Sequence, residues 1–200
     1  MSGNAGKLYR STMSYHTSEM LALMDSVSRA TGEENVAESL HFTPTALTMI
    51  RHVMLSGGLL VTDTQLALSE IDRAMADRLG LKIRCFIDDP EVLKQAEQRR
   101  KTRAAVAVDR ALALPGPKLI AVGSAPAALE RLMNCCQRGE MKDVVVIAAP
   151  TGFASVVQMK ERIFESGIPA IVVRGKKGGV SVLAAILNGL MEEAERQKTR

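Results

Sequence analysis

The chain has 200 residues, 46% of them hydrophobic and 24% charged, which is enough apolar material for one sizeable core and excludes a disordered chain. Aromatic residues make up only 3%, with no Trp, so a module that stacks the bases of single-stranded nucleic acid on aromatic rings is excluded as well. The formal net charge of +4, from 26 basic and 22 acidic side chains, is too mild for a polyphosphate duplex and favours an anionic small molecule, with no nucleic acid as partner.

No apolar stretch approaches the ~20 residues that a membrane helix needs. The opening residues MSGNAGKLYR lack the apolar core of a secretion signal. The expectation is a cytoplasmic protein without a membrane partner. Cys85, Cys135 and Cys136 are odd in number and lack metal-ligand spacing, so they are expected to be reduced thiols packed as small hydrophobes, with no metal site.

In chain order, residues 1–57 read as a helical arm without a strand pattern. Thr17 is placed to cap a helix over 18–30, and Thr43-Pro44 to open another over 45–56. From residue 58 onward short β-branched runs alternate with segments of helical period, the βαβ signature. The runs 58–63, 81–88, 118–123, 143–150 and 168–175 are apolar without alternation, as parallel strands covered on both faces must be. Between them 65–79, 90–113, 126–138 and 153–166 carry apolar residues at three- and four-residue spacing and serve as crossover helices. A last helix over 180–195 follows Gly178-Gly179. The expected fold is therefore α/β: a single domain with a five-stranded parallel sheet flanked by helices, preceded by the N-terminal helical arm.

Ligands of an open parallel sheet bind beyond the carboxyl ends of its strands. Three turns there are rich in small residues: Gly123-Ser124-Ala125-Pro126, Pro150-Thr151-Gly152-Phe153 and Arg174-Gly175-Lys176-Lys177-Gly178-Gly179. Glycines let the backbone approach a ligand, and helix starts with nearby cations attract negative charge. None matches a nucleotide fingerprint, since GxGxxG and P-loop spacing are both absent. In the run Arg99-Arg100-Lys101-Thr102-Arg103, the first two arginines read as a solvated face. Arg103, where the pattern turns apolar, is placed to fork a carboxylate. His16, His41 and His52 are the candidate general acids by residue type. On these residues alone, a doubly wound enzyme acting on a phosphorylated metabolite also stays open.

The succession Phe42-Thr43-Pro44, Thr62-Asp63, Cys85-Phe86-Ile87-Asp88-Asp89-Pro90, Thr102-Arg103-Ala104-Ala105, the three turns above and Val173 before the last of them resembles the precorrin-8X methylmutase family of cobalamin biosynthesis over nearly the whole chain. The resemblance implies a homodimer of α/β subunits that holds a carboxylate-rich corrin precursor in a cleft shared between subunits. It also implies migration of a methyl group from carbon 11 to carbon 12 of the macrocycle, on precorrin-8X or its cobalt form, with no metal or organic cofactor.

Carried over position by position, the family's arm serine falls on Ser11, its substrate-facing pair on Thr102 and Arg103, and its last glycine loop on Arg174 to Gly179, with Lys177 and Gly178 inside it. Lys101, Ser124 and Thr151 complete the expected binding set. The family's catalytic histidine stands in His-x-x-Gly before Phe-Ser-Pro, and this chain reads Arg29-Ala30-Thr31-Gly32 there. A guanidinium donates hydrogen bonds but holds its proton at physiological pH. Gln158 and Met159 replace the family's usual acidic and small residues, and Lys101 stands where an asparagine-like residue is usual. Three readings follow: a methylmutase in which His41 or His16 supplies the acid; a methylmutase accelerated by binding and electrostatics alone; or a non-catalytic corrinoid- or tetrapyrrole-binding paralogue.

Overall fold

The computed structural model describes residues 17–199, so the expectations placed on Ser11 and His16 lie outside the described residues. Helix α1 (Ser18–Thr31) starts where Thr17 Oγ1 accepts the Met20 N–H and stops at Gly32, whose φ of 69° is left-handed. The short α2 (Glu34–Ala37) follows, then a strand, β1 (Leu40–Phe42), and α3 (Ala46–Leu55).

The arm is therefore not wholly helical, which corrects the sequence reading. Three residues carry no readable period, and β1 is held by partners far along the chain. It pairs antiparallel with β6 (Ala170–Val173), Leu40 opposite Val173. Just beyond it, the buried Thr43 extends the ladder: its hydroxyl accepts the Ala170 N–H at 2.7 Å and its own N–H donates to the Ala170 carbonyl at 2.9 Å.

The five parallel strands are β2 (Leu59–Thr62), β3 (Lys82–Cys85), β4 (Lys118–Val122), β5 (Val144–Ala148) and β6. With β1 they form one mixed six-stranded sheet among the described residues, in the order β1-β6-β5-β4-β2-β3. β2, β4, β5 and β6 are buried at every position, as uniformly apolar runs demand. β3 is the exception, because it lies at the edge: Lys82 and Arg84 face solvent, and charged side chains on an edge strand discourage pairing with another chain.

Two expected crossovers are each split in two. Residues 65–79 form α4 (Gln65–Ser69) and α5 (Arg73–Leu79), the second capped by Asp72, which accepts the Met75 N–H at 2.9 Å. Residues 90–113 form α6 (Pro90–Arg99) and α7 (Arg103–Leu112). The break is Arg100, left-handed at φ 52°, followed by Thr102, whose hydroxyl caps α7 by accepting the Ala105 N–H. A stop without glycine or proline, inside a run of like charges, gives no compositional warning. The remaining helices are α8 (Pro126–Gln137), α9 (Ala154–Glu165) and α10 (Val180–Lys198).

Alternation along the strands sends Leu60, Leu119, Ile147 and Ile171 to one face, under α1, α3, α4, α5 and α10. Val61, Ile120, Val146 and Val172 go to the other, under α6 to α9. Helices α1 and α10 run antiparallel. Glu19 and Ala22 share a small cavity with Glu193 and Gln197, while further along α1 Leu23 and Ser26 lie over Gly189, where a Cβ would come 3.0 Å from Leu23 Cδ1. Chain direction across the sheet reverses between β2 and β4, which makes their carboxyl ends the topological switch point.

Replacing Thr43 by Val removes the hydroxyl that the buried Ala170 N–H depends on, and is expected to lower unfolding free energy by about 1–3 kcal/mol. Urea unfolding of the two proteins measures the difference.

Candidate functional site

At the switch point the protein supplies its own anion. Asp63 follows β2, is 7% exposed, and accepts the Ser124 and Ala125 N–H groups through Oδ2, each at 2.7 Å. The amides of that turn, which the sequence offered to a ligand, are thus already met, while the Ser124 side chain stays exposed on the rim. Gly123 packs closely beneath it, where a Cβ would come within 2.9 Å of Leu183 Cδ2.

The next two turns differ. Helix α9 begins at Phe153 and α10 at Gly179, both without a side-chain cap and without an acidic residue in the first turn. Their leading N–H groups and the positive ends of their dipoles are left for a ligand. The start of α10 is fastened to the end of β5. The Gly179 N–H donates to the Ala149 carbonyl at 2.6 Å, and Gly178, at φ 134°, passes so near that a Cβ would lie 2.0 Å from the same oxygen. Thr151 stands beside Gly179, its Cγ2 in van der Waals range of a Cβ placed there. Lys176 is exposed and Lys177 half-buried in the same loop.

The other expected residues divide. Arg103 reaches Asp88 at 3.6 Å, with both side chains more than half exposed (58% and 55%), a loose pair from which a ligand carboxylate takes the guanidinium at little cost. Lys101 and Thr102 line a groove of about 240 Å³ between α7 and α8, together with Ala127, Glu130, Arg131 and Asn134. Arg174 is committed elsewhere: Glu161 grips it through both oxygens, and its guanidinium lies 5.5 Å over the Phe164 ring.

Arg29 is in the last turn of α1, which the antiparallel packing carries toward the end of α10 that opens on the rim. It is exposed and paired only loosely with Asp25, at 3.2 Å in the same helix. His41 sits in β1, opposite Val172, with its ring edge-on to Phe164 at 6.0 Å. That contact puts it on the α9 side of the sheet, whereas α1 covers the other side. His52, exposed near the end of α3, precedes the start of β2 and so lies at the opposite end of the sheet from the rim.

The sequence reading missed two residues. Asp63 is one; its place just past a buried strand was the available signal. Lys160 is the other. It is fully buried, and its Nζ donates to the Lys177 carbonyl at 2.9 Å. Burial pushes its pKa down to about 8, against the opposing influence of Glu161. Its signal was the apolar face Val156, Lys160, Ile163 of α9, in which a lysine is out of place. The three cysteines are free, and burial pushes the Cys85 and Cys135 thiols up, away from reactivity. Among the described residues, no three His, Cys, Asp or Glu side chains converge as for a metal ion.

At the carboxyl ends of the parallel strands lie two helix starts without side-chain caps and the loosely paired Arg103. The chain belongs to the precorrin-8X methylmutase family, whose sequence model matches residues 8–193. It is 34% identical over 173 residues to the cobalt-precorrin-8 methylmutase of Salmonella typhimurium, covering 85% of this chain and 80% of that one. Identity to the precorrin-8X methylmutase of Pseudomonas aeruginosa is 27%, covering 84% and 82%. In fold it resembles the precorrin-8X methylmutase of Thermus thermophilus, with a TM-score of 0.80 at 23% identity over 91% and 90% of the two chains. A structure described as a precorrin-8X methylmutase related protein gives 0.81 at 22% identity, over 90% and 94%.

The isomerase reading, in cobalamin biosynthesis, is thereby favoured over a non-catalytic paralogue, and the unrelated phosphometabolite enzyme is set aside. No helix among the described residues is long and apolar enough to cross a membrane.

Lys160 binds its proton less tightly folded (about 8) than unfolded (about 10.4). The unfolded chain therefore holds more protons between those values, and stability contributed at this site rises with pH across that window, being lowest below pH 8. Relative to Lys160→Met, the wild-type chain is expected to gain on the order of 3 kcal/mol between pH 7 and pH 10.5, read from denaturant unfolding at each pH.

Proposed function

We propose that this chain moves a methyl group from carbon 11 to carbon 12 of precorrin-8X or its cobalt form, holding the macrocycle at the sheet rim through its carboxylates. The observation that carries the reading is the pair of helix starts without side-chain caps beyond β5 and β6, that of α10 held to the end of β5 by the Gly179–Ala149 hydrogen bond. One carboxylate meets the amides and cations around Thr151, Lys177, Gly178 and Gly179, and a second meets Lys101, Thr102, Arg103 and Ser124. Asp63 occupies the backbone amides of the Ser124 turn and discourages a carboxylate from settling on them. Two copies of the chain share the cleft, and Ser11 of the N-terminal arm belongs to the binding set.

Arg29 occupies the family's histidine position, at the C-terminal turn of α1 that Gly32 ends. Its part is to donate guanidinium hydrogen bonds that hold one tautomer of the ring. Acceleration then comes from binding and electrostatics more than from proton delivery. The same substitution is what favours the second reading, a corrinoid binder without turnover.

Purified protein incubated with precorrin-8X is expected to convert the visible spectrum slowly to that of the rearranged corrin. Arg29→His is expected to raise kcat by about a hundredfold, within the range of a restored general acid, with little change in KM. A persistent spectral shift without conversion would favour the binder. A large loss of kcat in His41→Ala, with no gain in Arg29→His, would give the acid role to His41. Absence of any corrinoid affinity would sink both readings.

A further inference from the structure

Lys160 is the largest fully buried side chain that carries a charge among the described residues, and its hydrogen bond reaches the rim at the backbone of Lys177. Burying an ammonium costs several kcal/mol, which a single hydrogen bond to a neutral carbonyl does not recover. A methionine of similar length would fill the space without that cost. A charge kept under such conditions has its use in what it holds.

What it holds is the Lys177 carbonyl, 2.9 Å from Nζ. The next residue, Gly178, is the one that slips past the Ala149 oxygen, and the one after it, Gly179, donates to that oxygen and begins α10. Two bonds thus pin three consecutive residues from opposite sides, Lys160 from α9 and Ala149 from the end of β5. The anchoring helix, α9, also starts without a side-chain cap. Lys160 therefore ties the loop that leads into α10 to the body of α9, and so bears on the spacing between the two helix starts.

We infer that Lys160 is a positioning residue: from beneath the glycine loop it fixes the backbone of Lys177 to Gly179 so that the start of α10 is presented, pre-ordered, to a substrate carboxylate. This rests on the function proposed above for the same rim. The energetic logic is pre-organisation, in which the loop is ordered before binding and the ligand need not meet that cost.

The test compares wild type with Lys160→Met and Lys160→Gln, the latter retaining an N–H donor on a shorter arm. Two measurements are made: backbone amide exchange at Gly179 without ligand, and steady-state kinetics with precorrin-8X. Lys160→Met is expected to fold with undiminished resistance to urea at pH 7, to exchange the Gly179 amide at least tenfold faster, and to raise KM about tenfold with kcat within twofold. Lys160→Gln is expected to fall between it and wild type in both exchange and KM.

Unchanged exchange at Gly179 overturns the inference, as does faster exchange with unchanged KM. A Lys160→Met chain that fails to fold, or a loss confined to kcat, assigns the lysine to the fold or to the reaction instead and overturns it too. If wild type neither binds nor converts precorrin-8X while exchange still responds to Lys160→Met, the loop anchor stands as geometry and the reading of the rim is what has failed, taking the substrate role of Lys160 with it.

Discussion

One hydrogen bond, from the Gly179 N–H to the Ala149 carbonyl, sets the character of the rim. It forms only because Gly178 has no Cβ to strike that oxygen, and it brings the beginnings of two helices onto adjacent strands within one loop's width. Two dipole ends so placed act on the same charge in a way that either alone does not. On the far side of the switch point the same problem, a turn with exposed amides, is solved by the opposite means, since Asp63 fills it with a carboxylate of the protein. The rim thus has two unlike parts, one over β2 and β4 filled by Asp63 and one over β5 and β6 where the helix starts have no side-chain cap.

Uniform burial explains why most of the sheet could be read from residue order. β2, β4, β5 and β6 have no solvent face, so their apolar runs are continuous and bounded by turn residues. β1 escaped because its reason for being a strand lies in Ala170 and Val173, not in its own three residues. The stop at Arg100 escaped because the left-handed residue there is neither glycine nor asparagine. At the site, small-residue turns were visible as turns, but which of them are satisfied internally depends on Asp63, a contact across the sheet that no local pattern records. Arg174 likewise reads as a rim cation until Glu161 is seen to hold it.

Arg29 and His41 stand on opposite sides of a sheet whose interior is filled with Val, Ile and Leu. Within one chain, rotation of neither side chain brings them together, so there they are alternatives in chemistry. The two buried charges at the rim carry a related lesson. Neither Asp63 nor Lys160 faces solvent, and each spends its polarity on backbone groups of a loop, giving turns that would otherwise flex a fixed shape.

The pairing of Thr43 with Ala170, 127 positions apart, together with the packing of α1 against α10, means that the first and last described segments complete one another. A chain emerging from the ribosome leaves β1 without its partner until β6 is made, and the apolar side of α1 uncovered until the final helix is made, so closure is a late, long-range event. Loss of the last helix would therefore leave the beginning of the protein, as much as its end, without a place to settle.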